Sequence, residues 1–205
     1  VADIVVTGER QRREAAQSAP VAVSVLTPAM LTATSAPNIQ GLSSLVPNLN
    51  IIASNSVPGL AVITLRGFNN NTSDISAEPA VAVYIDGVYQ TLSPGSFADL
   101  FDLQSIEVLR GPQGTLLGRN APAGAILLNR SRPTGEFGLK ARVEYGSHEL
   151  VQAQALVNFP IVTDLLSAKV YTHYRYRDSY IKNLSFPGND QGGERKGTFR
   201  GALLF

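Results

Sequence analysis

The sequence predicts an α+β domain, a mixed small sheet with short helices, followed by a run of antiparallel β-strands. Three observations carry this reading. Between residues 20 and 133 short β-favouring runs alternate with capping and turn residues, and after Pro133 the pattern changes to a two-residue alternation of apolar with polar side chains. No uninterrupted apolar stretch approaches the roughly 20 residues that a spanning helix needs, so any membrane crossing must be made by strands.

In the first 20 residues a short β-favouring run, 4–7, precedes a polar tract, GERQRREAAQSAP, that has no sustained apolar face and reads as a mobile leader. Residues 21–26 read as a strand. Thr27 then caps a short helix with Pro28 at its first position, where the missing N–H costs nothing. Asn38 is positioned to cap a second helix running through Leu42 and Leu45 toward Pro47. Residues 49–53 and 62–65 are strand candidates, with Arg66-Gly67 ending the latter. Residues 81–85 and 88–90 flank Asp86-Gly87, a strong hairpin signal because a type I′ turn needs positive φ at both centres. Residues 97–101 read as a short helix carrying solvated acids, Asp99 and Asp102.

The densest signal is 106–124, IEVLRGPQGTLLGRNAPAG. Ile106 and Val108 favour a strand, Gly111-Pro112 ends it, Thr115 caps a helical turn through Leu117, Gly118 supplies a left-handed exit, and a strand resumes at 125–128. Arg110 and Arg119 would be held in fixed directions, which suits bidentate pairing with carboxylates. A phosphate-binding loop fits poorly, since no lysine lies between Arg110 and Lys140 to complete a Gly-Lys-Ser/Thr end. Taken alone, the segment is also compatible with a tight turn in an unrelated mixed domain.

Beyond Pro133, Phe137, Leu139, Ala141, Val143 and Tyr145 alternate with Gly138, Lys140, Arg142 and Glu144. Val151, Ala153, Ala155, Val157 and Phe159 repeat the theme, as do Ala168, Val170, Thr172, Tyr174 and Tyr176, and a fourth run starts near Phe199. Transmembrane strands alternate in this way, and so does a soluble antiparallel sheet with one wet face. Tyr145, Tyr174, Tyr176 and Tyr180 gather toward one end, as an interfacial girdle would. Connections at 146–149 and 160–164 are short, whereas 181–196 is long and polar and is expected to face outside. Four strands cannot close a barrel, which takes about eight, so the sheet reads as part of a larger wall.

With 205 residues, a net charge of +1 and no basic run, the chain offers no nucleic-acid surface, and its lack of cysteine excludes disulfides and thiolate metal sites. It begins at Val1 with no signal-like segment, which reads as a processed chain or a fragment.

The segments at 107–115 (EVLRGPQGT), 118–120 (GRN) and 65–68 (LRGF) resemble the plug domain of TonB-dependent outer-membrane receptors, and the likeness extends over nearly the whole chain. Residues 2–8, ADIVVTG, are similar to a TonB box, an extended peptide that adds as a strand to its partner; alone, such a run reads equally as an ordinary edge strand. The resemblance implies a TonB box and flexible periplasmic leader at 1–19, a plug at 20–133, and about four opening strands of a truncated transmembrane β-barrel at 134–205. It implies a receptor in the outer membrane of a Gram-negative bacterium that imports a scarce ligand, by default an iron–siderophore complex, with cobalamin and oligosaccharide as other ligands of the class. The implied partners are TonB with ExbB and ExbD, the ligand and outer-membrane lipid. Neither catalysis nor a cofactor or metal is implied.

The resemblance assigns Asp3, Ile4, Val5, Val6 and Thr7 to TonB contact and Arg66, Glu107, Arg110 and Arg119 to latching of plug to barrel. Asn69, Asn70, Asn71, Tyr89 and Gln90 fall on candidate ligand-facing loops. Ala123 departs from the family's usual glycine in the 120–124 turn, and Gly8 from its usual alanine. The rival reading is a soluble periplasmic binding or signalling module with an α/β core and an appended sheet. A hydrolase built on Asp99, Asp102 and His148 or His173 lacks any motif spacing.

Overall fold

The computed structural model describes residues 5–9, 12–15, 22–33, 39–53, 60–69, 79–91, 100–117, 121–185 and 190–205. Two compact units divide the chain, Val1–Ser131 and Arg132–Phe205.

In the first unit, β1 (Val5–Glu9) and β2 (Arg12–Ala15) form a two-stranded antiparallel sheet, with Val6 opposite Glu14. Backbone pairing asks for no apolar face, so the polar tract can supply the second strand. β3 (Ala22–Leu26) leads into α1 (Pro28–Ala33), whose start is capped as expected: Thr27 Oγ1 accepts from the Met30 N–H at 3.5 Å and the Thr27 carbonyl from Leu31. The next helical segment, Ile39–Ser44, is a 3₁₀ helix; its expected cap, Asn38, lies outside the described residues. With Leu42 and Ile39 fully buried, packing of two side chains decides that turn more than helix propensity does.

β4 (Leu49–Ala53) and β5 (Ala61–Leu65) pair antiparallel. A five-stranded mixed sheet joins β3 to β6 (Val81–Ile85), β7 (Val88–Gln90), β8 (Leu103–Arg110) and β9 (Gly124–Arg130) in the order β3-β8-β9-β6-β7, with β6 and β9 parallel. Its central strands are apolar on both faces because both are covered. Val81, Val83, Ile106, Val108, Ile126 and Leu128 pack in one cluster with Ile39, Leu42, Ile51, Ile63 and Leu65. Ala82, Tyr84, Leu109, Ala125 and Leu127 form the other. The Asp86-Gly87 turn has φ of 50° and 79°, as a type I′ turn demands.

The predicted helix at 97–101 falls mostly outside the described residues, and its visible end is a turn. Asp102 is not a solvated acid. It is 3% exposed and accepts the Ser131 hydroxyl at 2.6 Å, while its carbonyl accepts the Ser131 N–H. After β8, α2 (Gly114–Leu117) starts two residues earlier than a Thr115 cap would set it, with Leu117 N–H bonded to the Gln113 carbonyl.

The second unit is one antiparallel sheet, β10 (Gly138–Gly146), β11 (Leu150–Val162), β12 (Leu166–Arg177) and β13 (Glu194–Leu204), paired in chain order. β11 runs through Pro160 with a register shift between Pro160 and Val162, the irregularity a proline in a strand requires. β13 begins at Glu194, not near Phe199. Its first residues belong to a polar face, so the apolar count alone missed them.

Candidate functional site

The informative geometry in the second unit is which face is covered. Register places Glu144, Gln152, Arg175 and Lys196 in one row, Arg142, Gln154, His173 and Thr198 in the next, then Lys140, Leu156, Tyr171 and Arg200. On the opposite face the rows read Tyr145, Val151, Tyr176, Arg195, then Val143, Ala153, Tyr174, Gly197, then Ala141, Ala155, Thr172, Phe199. Burial follows the polar face: Gln152 is 5%, Lys169 4% and His173 6% exposed, whereas Val143 is 76% and Phe199 74% exposed. A soluble sheet with one wet face would bury the apolar side instead. Polar side covered and apolar side bare is the arrangement of a strand with lipid on one side and lumen on the other.

Several polar groups on the covered face pair with one another, across strands and along β10. Arg175 donates through Nε to Glu194 Oε2 at 2.9 Å and through a terminal nitrogen to Gln152 Oε1; Gln154 donates to the Tyr171 hydroxyl; Arg142 pairs with Glu144. The Arg200 guanidinium sits 4.1 Å from the Tyr171 ring centroid.

Antiparallel order puts the 147–149 turn and the 178–193 connection at the same end of the sheet, beside Tyr145 and Tyr176. The two are joined: Asp178 N–H donates to the His148 carbonyl at 2.7 Å, and the His148 and Tyr180 rings lie 5.6 Å apart. Tyr180 packs over Gly192, where a Cβ would come within 2.3 Å of the ring, and both Tyr180 and Ile181 donate to the Gln191 carbonyl.

In the first unit, sequence-predicted residues separate. Glu107 is wholly buried on β8 and accepts from Asn129 Nδ2 at 3.0 Å, which also donates to Ser105. Arg110, three residues on, lies on the other face of β8, half-buried. Arg66 has φ of 52°, donates its N–H to the Asn48 carbonyl, and brings its guanidinium beside Gly111. Arg66 and the end of β8 are thus neighbours, while Glu107 is tied into the sheet. Arg119, Asn70, Asn71, Asp3 and Ile4 lie outside the described residues, as do Asp99, Gly118 and Asn120. Val5, Val6 and Thr7 lie on β1.

Asn69 is exposed after β5 and donates to Thr64 Oγ1, whereas Tyr89 and Gln90 sit on β7 of the five-stranded sheet. Tyr89 stacks at a tilt on Tyr84, whose hydroxyl donates to the Leu117 carbonyl and so fixes α2; Gln90 turns back onto the Val88 carbonyl. Among the described residues no group of three His, Cys, Asp or Glu side chains is placed to hold a metal, and no helix is long and apolar enough to cross a membrane.

Two features escaped sequence reasoning. Asp86, read only as a turn residue, accepts both the Arg130 N–H at 2.8 Å and its guanidinium at 3.1 Å. Together with Asp102 on Ser131, it fastens the last residues of the first unit from two separate loops. The other is Gly124, with φ of 147°: a Cβ there would lie 2.2 Å from the Leu109 carbonyl oxygen and 2.6 Å from Leu65 Cδ2. Neighbouring Ala123 fits, 4% exposed, donating to the Ala80 carbonyl and accepting from Gly111. The turn therefore tolerates alanine at 123 and requires glycine at 124.

Residues 15–125 match the TonB-dependent Receptor Plug Domain. The chain belongs to that family, whose members are receptors of the Gram-negative outer membrane. It is 31% identical over 198 residues to the pesticin receptor of Yersinia pestis, covering 94% of this chain and 28% of that one. It is 33% identical over 97 residues to the catecholate siderophore receptor Fiu of Escherichia coli, covering 45% and 12%. The ferric yersiniabactin uptake receptor FyuA of Yersinia pestis superposes with a TM-score of 0.77 at 29% identity, over 92% of this chain and 29% of that structure. The chain thus spans less than a third of the length of these relatives.

Proposed function

We propose that this chain is the coupling segment, plug and opening wall of a TonB-dependent receptor that imports an iron–siderophore complex across the outer membrane. The observation that carries the reading is the inverted burial of the β10–β13 sheet directly after a plug-family domain. Such a sheet is stable only where its bare apolar face meets lipid and its outer strands pair with further strands.

In this reading the plug obstructs the lumen, ligand engages loops at the outer end, and the Asp3 to Thr7 segment adds as a strand to TonB, which draws with ExbB and ExbD on the inner-membrane proton gradient. Arg66, Arg110 and Arg119 serve as plug-to-wall contacts, with Glu107 stiffening the strand that carries Arg110. No bond of the ligand is made or broken. Two relatives, one named as a catecholate siderophore receptor and one as the ferrioxamine B receptor of Salmonella typhimurium, support an iron chelate over cobalamin or sugar.

The test is radioiron uptake by cells carrying the full-length gene. Val6→Pro removes a backbone donor from the coupling strand and is expected to abolish uptake while leaving surface binding of the chelate intact. Unchanged uptake would remove the coupling assignment, and recovery of the full-length protein in the soluble periplasm would reject the receptor reading.

A further inference from the structure

The bare face of β10–β13 carries a single charge, Arg195. It stands in the row Tyr145, Val151, Tyr176, Arg195, the last row to cross all four strands before the 147–149 turn and the 178–193 connection, with Tyr174 in the row beside it. Its sequence neighbours Glu194 and Lys196 belong to the polar face, where Arg175 engages Glu194. Arg195 itself is exposed, and among the described residues no carboxylate or carbonyl meets its guanidinium. Nor are the hydroxyls of Tyr145, Tyr174 and Tyr176 hydrogen-bonded among those residues.

The position of this one cation is informative. A charge facing hydrocarbon is costly at mid-bilayer and nearly free at headgroup level. From Val151 to Phe159, at the far edge of the apolar rows, β11 advances roughly 26 Å at about 3.3 Å per residue, or about 20 Å of height at the ~40° tilt of such walls. Lipid-facing bands are about 25 Å tall and flanked by aromatic girdles, so the Arg195 row falls at a hydrocarbon boundary with the three tyrosines as its girdle.

We propose that Arg195 seats one phosphate-bearing membrane lipid, in the leaflet on the side of the 178–193 connection. The inference rests on the receptor reading above and concerns the face opposite to the one that lines the lumen. A guanidinium presents a planar fork of donors that matches two phosphate oxygens, whereas an uncharged headgroup offers it no counter-charge. Beside a low-dielectric slab that pairing is screened less than on an open surface. The tyrosine hydroxyls donate at headgroup level while their rings stay against acyl chains. Next on the same face of β13 is Gly197, where an added Cβ would meet nothing within 4 Å, so an acyl chain can descend from the held headgroup toward Phe199. A lipid engages guanidinium, girdle and apolar rows together; free phosphate engages the guanidinium alone.

The experiment is an equilibrium titration of the purified full-length receptor, in an uncharged maltoside detergent, with phosphatidic acid, with diacylglycerol of the same chains and with inorganic phosphate. Phosphatidic acid is expected to bind at least about tenfold tighter than diacylglycerol, and inorganic phosphate at equal concentration is expected not to displace it. Arg195→Gln removes the advantage that the phosphate confers, and Arg195→Lys keeps part of it. Lys196→Gln, one residue along on the other face, leaves it unchanged. Equal binding of the two lipids, equal losses in Arg195→Gln and Lys196→Gln, or displacement by inorganic phosphate would overturn the inference. A membrane-embedded receptor indifferent to lipid phosphate sinks this inference alone, whereas recovery of the full-length protein in the soluble periplasm sinks the receptor reading and the lipid seat with it.

Discussion

The two units of this chain solve opposite problems with the same residue types. In Val1–Ser131 apolar side chains are buried on both faces of a mixed sheet, Ile106 and Ile126 on one and Leu109 and Ala125 on the other, and buried acids such as Glu107 and Asp102 are fastened by hydrogen bonds. In Arg132–Phe205 Lys169, Gln152 and His173 are covered while Val143, Phe199 and Leu139 are bare. Composition does not separate them. What separates them is which side chains each covers, apolar ones in the first and polar ones in the second.

The contrast can be broken at its strongest point with Gly124→Ala. A Cβ placed 2.2 Å from a backbone oxygen, at a φ of 147°, should destabilise the first unit by about 3 kcal/mol or more, read as a lower urea midpoint for proteolytic release of the plug in the full-length receptor. No loss would mean that β8 and β9 do not approach as closely as described. Ile126→Ala, a truncation at a fully buried site, should cost about 2 to 5 kcal/mol by the same readout.

Phe199→Arg tests the other unit. At a bare position, lipid-facing in the proposed receptor, it should cost about 2 to 4 kcal/mol of unfolding free energy in vesicles, whereas Thr198→Gln, one residue along and on the polar face, should cost less than about 1. Equal effects at the two positions would erase the distinction between the faces. The smallest expected effect is at Asp86→Asn, which keeps the turn's tolerance of positive φ but removes a half-exposed ion pair with Arg130. About 0.5 to 1 kcal/mol should be lost, most of it at low salt.

Much of this was legible along the chain because it is local. The Asp86-Gly87 turn, the Thr27 cap and the period-two runs depend on φ preferences and on neighbours two or three residues away. Where reading failed, the cause lay farther off. Asp102 looked like a surface acid until Ser131, distant in sequence, was brought beside it, and the helix at 39–44 tightened to 3₁₀ around side chains that pack on strands far along the chain. The start of β13 was hidden because a strand whose less exposed residues there are Glu, Lys and Thr carries no apolar signal.

Alternation by itself told that β10–β13 has two chemically different faces, and motif spacing told which family of receptors the first unit resembles. Neither could say which face is covered, because period two is the same for a sheet on an oily core and a sheet in an oily solvent. Burial in three dimensions answered that. The pairing of polar side chains across strands likewise needed register, since Gln152, Arg175 and Lys196 become neighbours only when backbone hydrogen bonds align their strands.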